Sequence, residues 1–183
     1  MRAIETEIKF RIGDENEIED MLKAIGAEKI SEGLEHNESF DNGALRRNGM
    51  LLRLRKFNGK NILTFKAGIS KDKFKKAEET ETEINDFQKM KNILRSLGFK
   101  VSWIYEKKRT NFVLGGTKIS IDRLPFGTFL EIEGDEEEIR EAAEKLGLEI
   151  GKGITKTYRR VYEDYCREKG GEPETMVLWK AKG

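Results

Sequence analysis

Charged residues recur two apart along several short segments of the 183-residue chain: Glu5, Glu7 and Lys9; Arg53 and Arg55; Glu79, Glu81 and Glu83; Lys107 and Arg109; Glu131 and Glu133. Lys66 and Asp122 stand in similar alternating settings. In an extended strand, residues i and i+2 share one face. For any single strand the ordinary reading of such a face is solvation. Across many strands the pattern means more, because same-sign neighbours repel and a bound partner relieves the repulsion. Arginines and lysines arriving from several strands form a cradle for phosphate groups, since guanidinium forks match phosphate oxygens and ammonium adds point charge. Clustered carboxylates suit Mg²⁺ or Mn²⁺, hard ions that take oxygen ligands alongside substrate phosphate. Both sets on one surface indicate a divalent metal and a polyphosphate.

Other chemistries are excluded or weak. The single histidine, His36, and single cysteine, Cys166, cannot build a Cys/His zinc site or an internal disulfide framework. Cys166 reads as a small half-buried thiol of a terminal helix, and His36 as a surface or edge residue. Gly115-Gly116-Thr117-Lys118 and Gly151-Lys152-Gly153 lack P-loop spacing and read as turns. With 35 basic against 34 acidic residues, net +1, there is no long-range field to attract nucleic acid. The opening MRAIETEIKF has no apolar leader core, and no apolar run approaches the ~20 residues of a membrane span. The expectation is a cytoplasmic protein, monomer or homodimer, that binds neither nucleic acid nor membrane, with one domain over 1–183.

The elements that must position these charges are legible. Ile4, Thr6, Ile8 and Phe10 alternate with Glu5, Glu7, Lys9 and Arg11; Leu52 and Leu54 alternate with Arg53 and Arg55; Leu63 and Phe65 flank Thr64. Asn58-Gly59 predicts a tight hairpin because both residues tolerate positive φ. Further strands are predicted at 38–41, 77–84, 101–114 (split or continuous), 117–123 and 128–133. Helical spacing follows Asp14 (Ile18, Met21, Leu22, Ile25), Asn85 or Asp86 (Phe87, Met90, Leu94, Leu97) and Asp135 (Ile139, Ala142, Ala143, Leu146), each ending at a glycine. A fourth helix is predicted around Tyr158, Val161, Tyr162 and Tyr165. Arg46-Arg47 reads as a solvated or mouth position, Arg11 as equally placed inside or outside, and Val177, Leu178 and Trp179 of the tail could dock on the body. The fold class is α+β: about eight mostly hairpin-connected strands in one antiparallel sheet, with helices on its apolar face. If the sheet closes, the charged face lines a wet interior.

The same residues resemble a known family. Glu5-Thr6-Glu7-Ile8-Lys9 is similar to the ExExK signature of the CYTH superfamily of class IV adenylyl cyclases, thiamine triphosphatases and tripolyphosphatases. The resemblance continues through Phe40-Asp41, Leu52-Arg53-Leu54-Arg55, Leu63-Thr64-Phe65-Lys66, the acidic segment 79–83, Glu106-Lys107-Lys108-Arg109, Ser120-Ile121-Asp122, Gly127 to Glu133 and Lys156-Thr157-Tyr158. It spans about 1–165 and leaves 166–183 as a tail without an assigned role. It implies a triphosphate tunnel, an eight-stranded closed antiparallel β-barrel. Carried over residue by residue, it implies Glu5, Glu7, Asp122, Glu131 and Glu133 on the metal side. It places phosphate on Lys9, Arg53, Arg55, Lys66, Lys107 and Arg109, and catalytic roles on Glu7, Lys9, Glu81 and Arg109. The Glu81 assignment allows a shift of two along its acidic run. Thr157 stands where the family commonly has Ser.

Three functions fit this reading. Hydrolysis of the terminal phosphoanhydride of tripolyphosphate, thiamine triphosphate or a nucleoside triphosphate, with Mg²⁺ or Mn²⁺, is preferred. Cyclisation of ATP to cyclic AMP and pyrophosphate is the alternative, and a non-catalytic polyphosphate or nucleotide binder the third.

Overall fold

In the computed structural model, which describes residues 3–71 and 73–179, alternation in the sequence becomes β1 (Ala3–Ile12), β2 (Glu28–Asp41), β3 (Leu51–Phe57), β4 (Lys60–Lys71), β5 (Lys75–Ile84), β6 (Lys100–Leu114), β7 (Thr117–Leu124) and β8 (Gly127–Glu133). Neighbours run antiparallel in the order β2-β3-β4-β5-β1-β8-β7-β6, and β6 pairs back onto β2 to close the barrel. Closure leaves no free sheet edge among these eight strands, which explains how a sheet so polar on one face stays paired.

Four helices pack against it: α1 (Glu15–Ala24), α2 (Phe87–Ser96), α3 (Glu136–Lys145) and α4 (Tyr158–Glu168). The first three begin at aspartates the sequence offers as caps. Asp14 accepts from the Asn16 amide at 2.8 Å, Asp86 from Lys89 at 2.9 Å, and Asp135 forms a capping box with Glu138. The first three helices end at Gly26, Gly98 and Gly147, each at positive φ. The β3–β4 turn has Asn58 at φ 48° and Gly59 at φ 78°, the pair of left-handed residues a two-residue hairpin needs.

The helices bury the outer face of the barrel. Ile8, Phe10, Ile119, Leu130 and Ile132 pack with Leu22 of α1 and with Ile139, Ala142 and Ala143 of α3. Phe40, Leu52 and Leu54 pack with Phe87 and Leu94 of α2. α4 behaves differently. Its Tyr158, Val161, Tyr162 and Cys166 meet Trp103, Tyr105 and Phe129, which share the inward parity of Lys107, Arg109 and Glu131. It therefore stops one end of the barrel instead of covering a side.

Two strand expectations change. β2 begins at Glu28 rather than 38, because Glu28–Asn37 has no apolar stripe and is held by pairing along the length of β6. The 101–114 region is one continuous strand. The tail docks through β9 (Met176–Val177), parallel to β6, with Val177 buried; residues 180–183 lie outside the described residues. His36 is half-buried between Glu38 and Glu106, not a plain surface residue. Cys166 is a free, buried thiol.

Candidate active site

Strand parity carries the charges inward. Across β1 and β8, Glu7 lies opposite Glu133 and Lys9 opposite Glu131. Across β4 and β5, Lys66 faces Glu79 and Thr64 faces Glu81. Across β6 and β2, Lys107 faces Glu35. The result is a cavity of about 560 Å³ lined by all six basic residues implied for phosphate, Lys9, Arg53, Arg55, Lys66, Lys107 and Arg109. Glu5, Glu7, Glu81, Glu131 and Glu133 line it as well.

So many buried charges persist because nearly all are paired. Lys9 is shared by Glu7 and by Glu131, whose Oε1 is 2.8 Å from Nζ. Lys66 bridges Glu5 and Glu79, the latter at 3.1 Å. Arg55 donates to both oxygens of Glu81 at 3.0 and 3.3 Å, and the Thr64 hydroxyl donates to the same carboxylate at 2.5 Å. Arg109 donates through Nε and Nη2 to Asp122, both at 2.6 Å, and also to Glu131.

Protonation follows from burial set against these partners. Burial alone would raise Glu7, yet Lys9 and Lys75 hold its carboxyl well below the usual range. Glu131 is likewise depressed against burial by Lys9 and Arg109. Burial would neutralise Lys9, but Glu131 and Glu7 keep it charged, with its pKa raised. At Lys75 and Glu79 burial prevails, lowering the former and raising the latter. At Glu79 burial outweighs Lys66, Glu5 and Glu81 add repulsion, and the pKa is pushed up to about 7.

Asp122 lies opposite Arg109 and Phe129 and shares their inward face, but it is fully buried and does not line the cavity. Its oxygens accept from Lys107 at 2.8 Å, from Arg109 and from the Tyr158 hydroxyl at 2.7 Å, so it anchors bases. Among the described residues no three Asp, Glu, His or Cys side chains form an ion-holding group. The donors left at the cavity, Glu5, Glu7, Glu131 and Glu133, fit a hard cation that takes one or two carboxylates and completes its shell with substrate phosphate.

Within the acidic run Glu79 and Glu81 both line the cavity, while Glu83 pairs outside with Lys60 at 3.3 Å. Arg11 lies outside the cavity, stacked on Phe129 and donating to the Phe126 carbonyl at 3.1 Å. Arg46 reaches the mouth and pairs with Glu163 of α4 at 2.5 Å. The Thr157 hydroxyl caps α4.

Sequence reasoning missed two buried charged residues of the lining, Lys75 and Glu35. Lys75, whose Nζ is 2.6 Å from Glu7, is hidden in a lysine-rich stretch with no strand periodicity to select it. Glu35 shares inward parity with Asn37 and Ser39, a signal available only once β2 is extended upstream of 38.

The model of the CYTH domain matches residues 3–162. A relative in Methanocaldococcus jannaschii, MJ0240, provisionally named an adenylate cyclase, is 35% identical over 143 residues, covering 75% of this chain and 81% of that one. Among solved structures, the PH1012 protein of Pyrococcus horikoshii OT3 superposes with a TM-score of 0.74 at 28% identity, covering 84% of this chain and 96% of the other. HpAC1 of Hippeastrum, described as having a dominant triphosphatase activity, shares the fold at a TM-score of 0.61 and 20% identity, with 91% and 96% coverage. With a family match over nearly all of its length and a closed barrel carrying ExExK on its first strand, this chain belongs to the CYTH family.

Proposed function

We propose that the protein is a divalent-metal-dependent enzyme that binds a triphosphate inside the barrel and hydrolyses its terminal phosphoanhydride. The observation that carries this reading is the convergence of Lys9, Arg53, Arg55, Lys66, Lys107 and Arg109 on one cavity beside Glu5, Glu7, Glu131 and Glu133. A phosphate chain is the ligand whose charge is repeated along its length, as the lining's is. Phosphoryl transfer asks the protein mainly for positioning and charge stabilisation, so a site without histidine or thiol suffices. In this reading Arg53, Arg55, Lys66 and Lys107 hold the chain in place. Lys9 and Arg109, each braced by Glu131, face the transferred group and offset its developing charge. Glu7 stays ionised and Glu81 fixes Arg55. A divalent ion on the acidic side supplies Lewis acidity and a more acidic water.

A second reading, cyclisation of ATP, is favoured by one feature. Trp103 lines the cavity, stacks on Tyr105 with centroids 4.3 Å apart, and has a buried Nε1 with no hydrogen-bond partner among the described residues. An aromatic surface with a free donor suits a nucleoside, and the 35%-identical relative carries a cyclase name.

One assay separates these. The purified protein is given tripolyphosphate, thiamine triphosphate and ATP with Mg²⁺ or Mn²⁺, and orthophosphate, pyrophosphate and cyclic AMP are read in parallel. Orthophosphate release that stops in EDTA is expected; cyclic AMP with pyrophosphate selects the second reading. Glu7→Gln should bind tripolyphosphate yet lose turnover. Binding without turnover by wild type under every metal would leave a binding module.

A further inference from the structure

Glu35 has a place in the wall that pairing alone does not explain. It is 1% exposed, on β2 opposite the acidic strands β1 and β8 in the barrel order. Its Oε1 accepts a hydrogen bond from the Asn37 amide at 3.0 Å and lies 3.4 Å from Lys107 Nζ, while Oε2 lies 3.9 Å from an Nη1 of both Arg55 and Arg109. Three of the phosphate-facing bases thus converge on one carboxylate, at distances that give attraction without committing their N–H groups, which stay available to a ligand. Arg55 and Arg109 make their close hydrogen bonds elsewhere, to Glu81 and to Asp122 and Glu131. Burial would raise the carboxyl's pKa, but Lys107, Arg109 and Arg55 hold it well below the usual range, so it carries its full charge.

We propose that Glu35 is a positioning residue that holds Arg55, Lys107 and Arg109 as one cluster and, by offsetting part of their charge, sets the shortest phosphate chain the tunnel retains. This rests on the polyphosphate reading of the tunnel. Without the carboxylate the three cations repel, and the whole of their charge is open to any small anion. With it, orthophosphate or pyrophosphate seated on this cluster gains only the residual charge. A longer chain reaches Arg53 and Lys66 as well and gains theirs, so selectivity arises as a difference of affinities.

The test is calorimetric titration of the full chain with orthophosphate, pyrophosphate and tripolyphosphate in EDTA, in wild type and Glu35→Gln, with circular dichroism as the check on folding. In E35Q the affinity for pyrophosphate should rise by about tenfold or more, the scale of a lost buried charge partner, and pyrophosphate should become a stronger inhibitor of turnover. A folded E35Q with the wild-type pyrophosphate affinity overturns the proposal, whatever its melting temperature, because a purely structural role moves stability alone. If E35Q does not fold, Glu35→Asp carries the test. Its carboxylate is drawn back from arginines already at 3.9 Å, so the pyrophosphate affinity should rise by about threefold, half the buried-charge effect on a logarithmic scale; an unchanged affinity overturns the proposal. Wild type that binds tripolyphosphate without turnover defeats the hydrolase reading and leaves the pyrophosphate affinity to decide on Glu35. Wild type that binds none of the three defeats both.

Discussion

The phenol of Tyr158 donates to Oδ2 of Asp122 at 2.7 Å, and Asp122 also accepts from Lys107 and Arg109. The helix that stops the barrel is thereby fastened to the carboxylate that orients two of the bases inside it. Burial raises the Tyr158 pKa well above the ordinary phenol value, and Asp122 and Glu131 add to the rise, so the hydroxyl remains a donor.

Removing that hydroxyl tests the linkage. Tyr158→Phe keeps the ring that faces Lys9 and Lys107 at 5.3 and 5.1 Å but deprives a buried carboxylate of a donor. The loss expected in chemical denaturation is about 1–3 kcal/mol, with Tyr158→Leu lower still because the ring contacts go too. A Y158F protein as stable as wild type would show that the hydroxyl contributes nothing.

Asp122 itself separates an anchor from a metal ligand. Asp122→Ala strands Lys107 and Arg109 and should destabilise by about 3–5 kcal/mol. Asp122→Asn, milder, should raise KM for the triphosphate while leaving the metal concentration for half-maximal activity at its wild-type value. A severalfold rise in that concentration would return Asp122 to the metal.

His36 is the single histidine of the chain, so its titration is directly visible by NMR. Hydrogen bonding to Glu38 raises its pKa above the ordinary 6.5, partial burial opposes, and Glu106 adds to the rise. Because the folded value exceeds the unfolded one, the stabilisation is fully present below about pH 6.5 and is lost as pH rises through the folded pKa. The melting-temperature gap between wild type and His36→Gln should therefore be larger at pH 5.5 than at pH 8.5. An imidazole midpoint at or below 6.5 would contradict this.

Gly153 tests how the linker before α4 fixes Lys9. Ile154 pairs with Lys9 through both backbone hydrogen bonds, at 3.1 and 2.6 Å, and a Cβ on Gly153 would run into the Ile8 side chain and meet the Ile150 carbonyl at 3.0 Å. Gly153→Ala should cost about 1–3 kcal/mol as an overpacking change and lower kcat, while Gly151→Ala, which meets nothing within 4 Å, should cost far less. Equal stability of the two variants would remove the argument.

By itself the sequence determined the alternation that sends charge to one face and apolar side chains to the other, the aspartate caps and terminal glycines of the helices, and the Asn58-Gly59 turn. These are local properties: a period of two or 3.6, or a φ that few residues adopt. The inward positions of Lys9, Arg53, Arg55, Lys66, Lys107 and Arg109 follow from that period once their strands are recognised. Only the tertiary structure decided which charge meets which, because partners lie on strands far apart in sequence and closure through β2 and β6 sets their register. It buried Asp122 beneath Tyr158 with Lys107 and Arg109, brought Glu35 and Lys75 into the lining, and turned α4 from a covering helix into a stopper. Each depends on packing between distant segments, which hydrophobic periodicity within one segment does not encode.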